Sequence, residues 1–349
     1  MKAAVLTRWE APLEIQQLPD PKPGPADVVV QVEACGICRS DWHLWRHDLT
    51  WLGIELALPH VMGHEFGGVV LSVGEAVKDF KPGDRVTVPF HLACGHCAYC
   101  QSGRSNICLA YGIIGVHHFG GYGRLAMVPN ADVNLVRLPE QVDFLSAASL
   151  GCRFMTSYHG VVDRGALRPG EWVAVFGMGG VGQAAVQIAA ALGARVVAVS
   201  RTAEKLAQAK QEGAVETVTA NDNSWQAVKE ITGGGADLAL EAVGIPETTL
   251  PAILSLKKGG RMVQLGITGR EQSGMMSLPV DAIALQELTF LGSFGCPVTS
   301  YPGMLSLVAS GKLNPTRLVH RTLPVEEASG VLEAMGRYDT QGFNVINKW

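Results

Sequence analysis

The sequence predicts an α/β chain with two kinds of domain. One is mostly β with irregular loops; the other is doubly wound on a six-stranded parallel sheet. Three observations predict this. Gly177, Gly179 and Gly182 spell G-x-G-x-x-G between a short apolar run, Val173–Phe176, and a helix-spaced series of Val181, Ala185, Ile188 and Leu192. From Thr156 to about Phe294, β-type runs alternate with helical stretches. Before about residue 150 that alternation is missing, and short β runs are broken by Pro and Gly.

At 349 residues the chain is long enough for two domains, each with its own core. A hydrophobic share of 47% is ordinary for a globular protein, and the net charge of −4 carries no polyanion-binding signature. The start, Met1 to Glu10, has one lysine and a very short apolar run before Arg8, which is no signal peptide, so the expected compartment is the cytoplasm. Eight cysteines without an export signal read as thiols or metal ligands. No repeat or low-complexity tract is present, so neither a solenoid nor a disordered tail is expected.

In the first part, Asp27–Val32, Gly68–Val73 and Arg85–Val88 are the β-type runs, with turns at Pro19–Pro25 and Lys81–Asp84. Cys35-Gly-Ile-Cys38-Arg39-Ser40-Asp41-Trp42-His43 is followed by Gly63-His64-Glu65 and later by Gly151-Cys152. Cys38, His64 and Cys152 make a thiolate, imidazole and thiolate set with one position left open, which a catalytic zinc needs. Asp41 is placed to orient His64. Taken singly, His64 also fits a satisfied core histidine and Cys152 a small buried side chain. Cys35 with Cys38 also reads as a C-x-x-C redox pair or zinc knuckle.

Cys94, Cys97, Cys100 and Cys108 form C-x-x-C-x-x-C-x7-C, a spacing that closes four thiolates around a zinc with no room for substrate. That site is structural, ordering a loop with little core of its own. His96 lies inside the loop and could compete as a ligand, but four thiolates already fill the site.

In the second part, Trp172–Ala194 carries no charge, but its five glycines and two glutamines fit a buried strand and helix better than a membrane span. The first glycine allows the turn, the second lets a pyrophosphate approach the backbone, and the third lets helix and strand pack. Gly180 and Val181 open the helix, whose N-terminus suits phosphates. The predicted strands are Val173–Phe176, Arg195–Val199, Val215–Val218, Asp237–Glu241, Arg261–Leu265 and Thr289–Ser293. Gly244 and Gly266 follow the fourth and fifth and keep the nicotinamide half of the crevice open. An NAD site usually ends its second strand on Asp or Glu. Here Ser200, Arg201 and, one turn on, Lys205 stand instead, which favours NADP over NAD.

Together and in this order, Gly36–Asp41, Gly63–Gly67, the four-cysteine loop, Gly151-Cys152 and Gly177–Gly182 resemble the zinc-dependent alcohol dehydrogenases of the medium-chain dehydrogenase/reductase family, essentially end to end. The resemblance implies a GroES-like catalytic domain over 1–152, a Rossmann domain over 153–294, and a return to the catalytic domain over 295–349. It implies two zinc ions per chain, with Cys38, His64 and Cys152 as catalytic ligands and Glu65 as a carboxylate that approaches the metal during water exchange. It assigns Ser40 to the substrate oxygen, His43 to the far end of a proton relay, Arg39 and Arg337 to the pyrophosphate, and Thr156 to the neighbourhood of the nicotinamide. It puts Trp45 and Phe90 in the alcohol pocket, with Trp51 as a further candidate in a loop of variable length. Cys35 and Cys296 match no ligand and read as buried thiols.

The function implied is reversible hydride transfer between a small primary or secondary alcohol and a nicotinamide cofactor, by a homo-oligomer, a tetramer over a dimer. Polyol, threonine or thiol-adduct substrates on the same fold are the alternative, and the aromatic pocket residues disfavour strongly polar polyols. A non-catalytic NADPH-binding relative is the alternative from another class, against which the intact Cys38, His64, Cys152 and Ser40 argue. The acidic balance disfavours a nucleic-acid knuckle at the cysteine loop, and no membrane partner is expected.

Overall fold

A computed structural model describes residues 1–337 and 340–349. The chain divides into two compact units, Met1–Met155 with Gly295–Trp349, and Thr156–Phe294. Among the described residues no helix is long and apolar enough to cross a membrane.

The first unit is built on a seven-stranded sheet. Its central strand, Val28–Ile37, opens on three consecutive valines and buries nearly all of its length. It pairs antiparallel with Glu65–Val73, which pairs in turn with Arg85–Thr87. On its other side it takes Phe343–Lys348, with Ile346 opposite Cys35 and Asn344 opposite Ile37. Val319–Pro324 completes that edge in parallel. The last segment of the chain is therefore integral to the sheet that begins near residue 28. Cys35 and Cys296 are fully buried.

The second unit is a six-stranded parallel sheet in the order Glu216–Thr219, Arg195–Ser200, Trp172–Phe176, Ala236–Glu241, Leu256–Gln264 and Thr289–Gly292. The order reverses direction beside Trp172–Phe176, which is the topological switch point of a doubly wound sheet. Ala174, Phe176, Val197, Val199, Ala239 and Met262 form its dry centre. One strand differs from expectation. The sequence predicts a start at Arg261, because Lys257, Lys258, Gly259 and Gly260 interrupt the apolar pattern. Pairing instead begins at Leu256, opposite Ala236, and the interruption is absorbed as a register shift before Arg261 meets Leu238.

The glycine turn follows its predicted division of labour in two respects. Gly177 has φ +94, and a Cβ on Gly182 would lie 1.8 Å from the Gly177 carbonyl oxygen. Backbone cannot yield as a flexible side chain can. Gly182→Ala is therefore expected to cost about 1–3 kcal/mol of stability by overpacking. Thermal unfolding measures it, and an unchanged midpoint would mean the turn relaxes freely.

Candidate active site

The helix Arg39–Trp45 begins at Cys38, whose backbone N–H donates to Asp41 Oδ2 at 2.8 Å. The other oxygen of Asp41 lies 2.9 Å from His64 Nδ1. One carboxylate thus caps the helix that carries Cys38 and fixes the imidazole ring. With Nδ1 engaged, His64 turns its Nε2 inward, where that atom is buried with no protein partner. Gly63, at φ +96, delivers His64 to the start of Glu65–Val73, and a Cβ there would strike the Tyr122 ring. Cys152 lies in a π-helical turn, Leu150–Phe154, a wide turn of the kind found at functional sites. Its neighbour Gly151 packs so close that a Cβ would lie 2.9 Å from Glu65 Cα.

These elements bring the sulfurs of Cys38 and Cys152 to 3.9 Å, and the ligand atoms of Cys38, His64 and Cys152 all within 4.8 Å of one another. Two sulfurs on a tetrahedral zinc, each about 2.3 Å from it, lie about 3.8 Å apart. The orphaned Nε2 and the sulfur spacing fit a zinc ion. The three groups also perturb one another's ionisation. The Cys152 thiol and the His64 imidazole hold Cys38 well below the ordinary thiol range despite its burial. The Cys38 sulfur, with burial, pushes Cys152 well up. Burial lowers His64, but Asp41 and the Cys38 sulfur outweigh it and raise the imidazole well above its ordinary value. Two thiolates so close ionise together only around a cation.

Glu65, expected to approach the metal, is engaged elsewhere in this structure. Arg153 donates to Glu65 Oε1 from its backbone N–H at 2.9 Å and its Nε at 3.0 Å, and its Nη2 contacts Oε2. Burial pushes the Glu65 carboxyl up to about 7 while Arg153 pulls it down. The same pair raises the guanidinium of Arg153, which also stacks 3.6 Å over the Phe343 ring. Arg153 is the functional neighbour that sequence reasoning missed. Its signal was present, since it is the one Asp, Glu, Lys or Arg between Asp143 and Asp163. A lone charge in an apolar run implies a buried partner.

The remaining residues of the first unit fall as follows. Ser40 Oγ is 3.9 Å from Cys38 Sγ. His43 Nδ1 lies 3.6 Å from Asp48 Oδ2; burial, then Arg39, lower its pKa, and Asp48 opposes them. Arg39 donates to the Met335 carbonyl at 2.6 Å and lies 3.7 Å over the Trp42 ring. Arg337 is exposed just past the helix Ala328–Gly336. Phe90 meets the His64 ring edge-on at 6.2 Å. Trp45 is buried and donates to the Ala11 carbonyl at 2.7 Å, while Trp51 sits half-buried in the turn Thr50–Leu52.

The second cluster is local. Sulfur separations are 3.4 Å for Cys94–Cys108, 3.5 Å for Cys97–Cys100, 3.8 Å for Cys97–Cys108 and 4.0 Å for Cys94–Cys100. They scatter around the tetrahedral edge of about 3.8 Å. The backbone N–H of Leu109 holds the Cys97 thiol down at about 6, and burial pushes Cys100 up to about 12. His96 is exposed and bonds the Cys94 carbonyl oxygen through Nδ1.

In the second unit, a Cβ on Gly179 would meet nothing within 4 Å. That open space lies at the start of the helix Gly180–Ala191, which no side chain caps. A pyrophosphate fits an uncapped helix N-terminus with this clearance. Ser200 is buried at the tip of its strand, its Oγ accepting from Thr202 N at 3.4 Å. Arg201 is exposed and Lys205 half-buried; Thr156 begins the unit. Gly244 and Gly266 stand in the turns after the fourth and fifth strands.

Comparison with known proteins gives concordant findings. The family profile for the alcohol dehydrogenase GroES-like domain matches residues 24–140, and that for zinc-binding dehydrogenase matches 180–310. An alcohol dehydrogenase of Geobacillus stearothermophilus is 35% identical over 348 residues, covering 99% of both chains. An NAD-dependent alcohol dehydrogenase of Sulfurisphaera tokodaii is 30% identical over 354 residues, also covering 99% of both. A solved zinc-binding dehydrogenase of Sinorhizobium meliloti 1021, bound to NADP, superposes with TM-score 0.85 at 31% identity, over 99% of this chain and 98% of that one.

Arg153→Met leaves the Glu65 carboxylate buried without its guanidinium partner, with only the backbone N–H of residue 153 still donating to it. The expected loss is about 3–5 kcal/mol, measured by urea unfolding. An unchanged unfolding midpoint would mean that the pair is not needed to hold this wall of the site.

Proposed function

We propose a specific mode of action for this chain, which belongs to the zinc-binding alcohol dehydrogenases of the medium-chain dehydrogenase/reductase family. The chain is an oxidoreductase that oxidises alcohols reversibly with a nicotinamide dinucleotide. The observation that carries the finer reading is the convergence of Cys38 Sγ, His64 Nε2 and Cys152 Sγ. Zinc held by these three supplies a Lewis acid for the substrate oxygen near neutral pH.

The chain's own groups do the rest. Asp41 keeps the proton on His64 Nδ1, leaving the Nε2 lone pair for the metal. Ser40 accepts the alcohol proton and passes its own toward His43. His43 is kept neutral at neutral pH by burial and is thereby able to accept it. Glu65, paired with Arg153, is held in reserve beside the ligands as the carboxylate that approaches during exchange of water. Phe90, with Trp45 and Trp51, forms the apolar wall that selects primary or secondary alcohols and their carbonyl products over polyols. Cys94, Cys97, Cys100 and Cys108 hold a second, structural zinc, supported by their near-tetrahedral spacing.

Gly177, Gly179, Gly180, Val181 and Gly182 receive the pyrophosphate, and Thr156, Gly244 and Gly266 lie toward the nicotinamide. NADP is preferred, because no carboxylate stands at the tip of Arg195–Ser200 to bind a free ribose hydroxyl and repel a phosphate. Ser200, Arg201 and Lys205 take the 2′-phosphate. The chain works as a homo-oligomer, a tetramer by family resemblance, in the cytoplasm. Self-association is supported by the open edge strand Thr289–Gly292 and by exposed Leu285, Val280 and Met275 nearby in sequence.

Two outcomes follow. Cys38→Ser should abolish nearly all turnover while far-ultraviolet circular dichroism stays native; retained activity would remove the zinc mechanism. Arg201→Ala should raise KM for NADPH roughly tenfold and leave KM for NADH nearly unchanged, as loss of a charge-assisted phosphate contact requires. A wild-type enzyme that turns over far better with NADH than NADPH would refute the phosphate site.

A further inference from the structure

Glu241 ends the strand Ala236–Glu241, between Phe176 of the first strand and Gln264 of the fifth. It is fully buried, and no role for it follows from the glycine motif. Its carboxylate gathers donors from the turn and helix that follow its own strand and from the end of the neighbouring strand. Oε1 accepts from Val243 N at 2.8 Å, Gly244 N at 3.0 Å and Thr248 Oγ1 at 2.6 Å. Oε2 accepts from Gly244 N at 3.0 Å and from Gln264 Nε2 at 2.5 Å. Gln264 Nε2 also donates to the Gly266 carbonyl at 2.8 Å. The backbone carbonyl of Glu241 accepts from Leu265 N and Gly266 N, each at 2.9 Å. A single residue therefore links the turn at Gly244 to the turn at Gly266.

The two glycines leave no slack in this link. Gly244 has φ +89, and a Cβ on it would lie 2.1 Å from the Ile267 carbonyl oxygen. A Cβ on Gly266 would lie 2.2 Å from Gly244 N and 2.6 Å from Glu241 Oε2. The turns are in contact, and the carboxylate fills the space beneath them. All four groups facing it are donors, which suits an ionised, acceptor-only carboxylate. Burial pushes its pKa above the ordinary range, while those donors pull it down. A buried charge held by a full set of donors is costly to disturb, because each donor it leaves stays unpaired.

From this geometry we infer that Glu241 is a positioning residue for the nicotinamide half of the bound dinucleotide, holding the Gly244 and Gly266 turns in one shape so that the cofactor need not order them on binding. The inference rests on the reading that those two turns face the nicotinamide half, whereas Ser200 and Arg201 serve the adenine half. The carboxylate itself touches no cofactor atom in this role. It lowers the ordering cost that binding otherwise carries.

The test separates the two halves of the ligand. Glu241→Gln puts an amide group against donors, and Gln264→Leu removes the arm to Gly266 while leaving Glu241 in place. Calorimetric titration compares NADPH with 2′-phospho-ADP-ribose, which lacks the nicotinamide; if the wild type prefers NADH, ADP-ribose is the partner. Glu241→Gln should weaken the intact dinucleotide roughly tenfold and leave the truncated ligand within about twofold. Gln264→Leu should show the same split at about threefold, and it keeps the test informative if the first variant folds poorly. Equal weakening of both ligands would mean general loosening of the unit and overturn the positioning role. Unchanged affinity in both variants would overturn it as well. A wild-type protein that binds neither dinucleotide would instead refute the cofactor reading beneath it.

Discussion

The constraint on which the site depends is electrostatic: two sulfurs and an imidazole nitrogen meet in a buried place at separations that become favourable when a cation lies among them. Local backbone chemistry leads there from several directions. Asp41 caps the short helix that starts at Cys38 and, with its second oxygen, sets the tautomer of His64. The glycines at 63 and 151 carry no packing of their own; their value is the close approach they permit to Tyr122 and to the Glu65 backbone. Behind the ligands, Arg153 and Glu65 form a buried ion pair whose members satisfy one another through several hydrogen bonds. The four-cysteine cluster applies the same electrostatics to a different end. Its ligands are close in sequence, so it can organise a loop that lacks a core.

The dinucleotide unit uses a complementary principle, in which side chains are withheld. Gly179 leaves open space at a helix N-terminus, Gly182 permits helix and strand to touch, and Gly244 and Gly266 let two turns meet. The polar cost of that bare backbone is met from below by Glu241 and Gln264. At the metal-site wall and beneath these turns alike, buried charge is surrounded by specific donors.

Much of this was legible in the sequence wherever the pattern was local. The six parallel strands announce themselves as short apolar runs between helix-spaced segments, and the order through Trp172–Phe176 follows from the glycine turn. The cysteines from Cys94 to Cys108 sit at ligand spacing within one loop. Cys38, His64 and Cys152 are scattered, and spacing alone left His64 and Cys152 with an ordinary core reading and Cys38 with a C-x-x-C reading beside Cys35; only the order of several motifs drew them together. Three features were not legible. The strand at Leu256 begins among lysines and glycines, because its pairing is decided by the neighbouring strand and not by its own pattern. The engagement of Glu65 by Arg153 joins residues on a strand and a π-helical turn whose contact exists only in the fold. The carboxylate of Glu241 reads as the polar end of a strand until its donors are seen converging from the next turn and from the neighbouring strand's end.

The most direct measurement is an anomalous difference map from a crystal of the protein, with data collected on both sides of the zinc absorption edge. The account predicts a peak among Cys38 Sγ, His64 Nε2 and Cys152 Sγ, about 2.3 Å from each sulfur and about 2.0–2.1 Å from the nitrogen. If a fully metallated, catalytically active preparation gave no peak there, or if the three side chains pointed apart, the account would be contradicted.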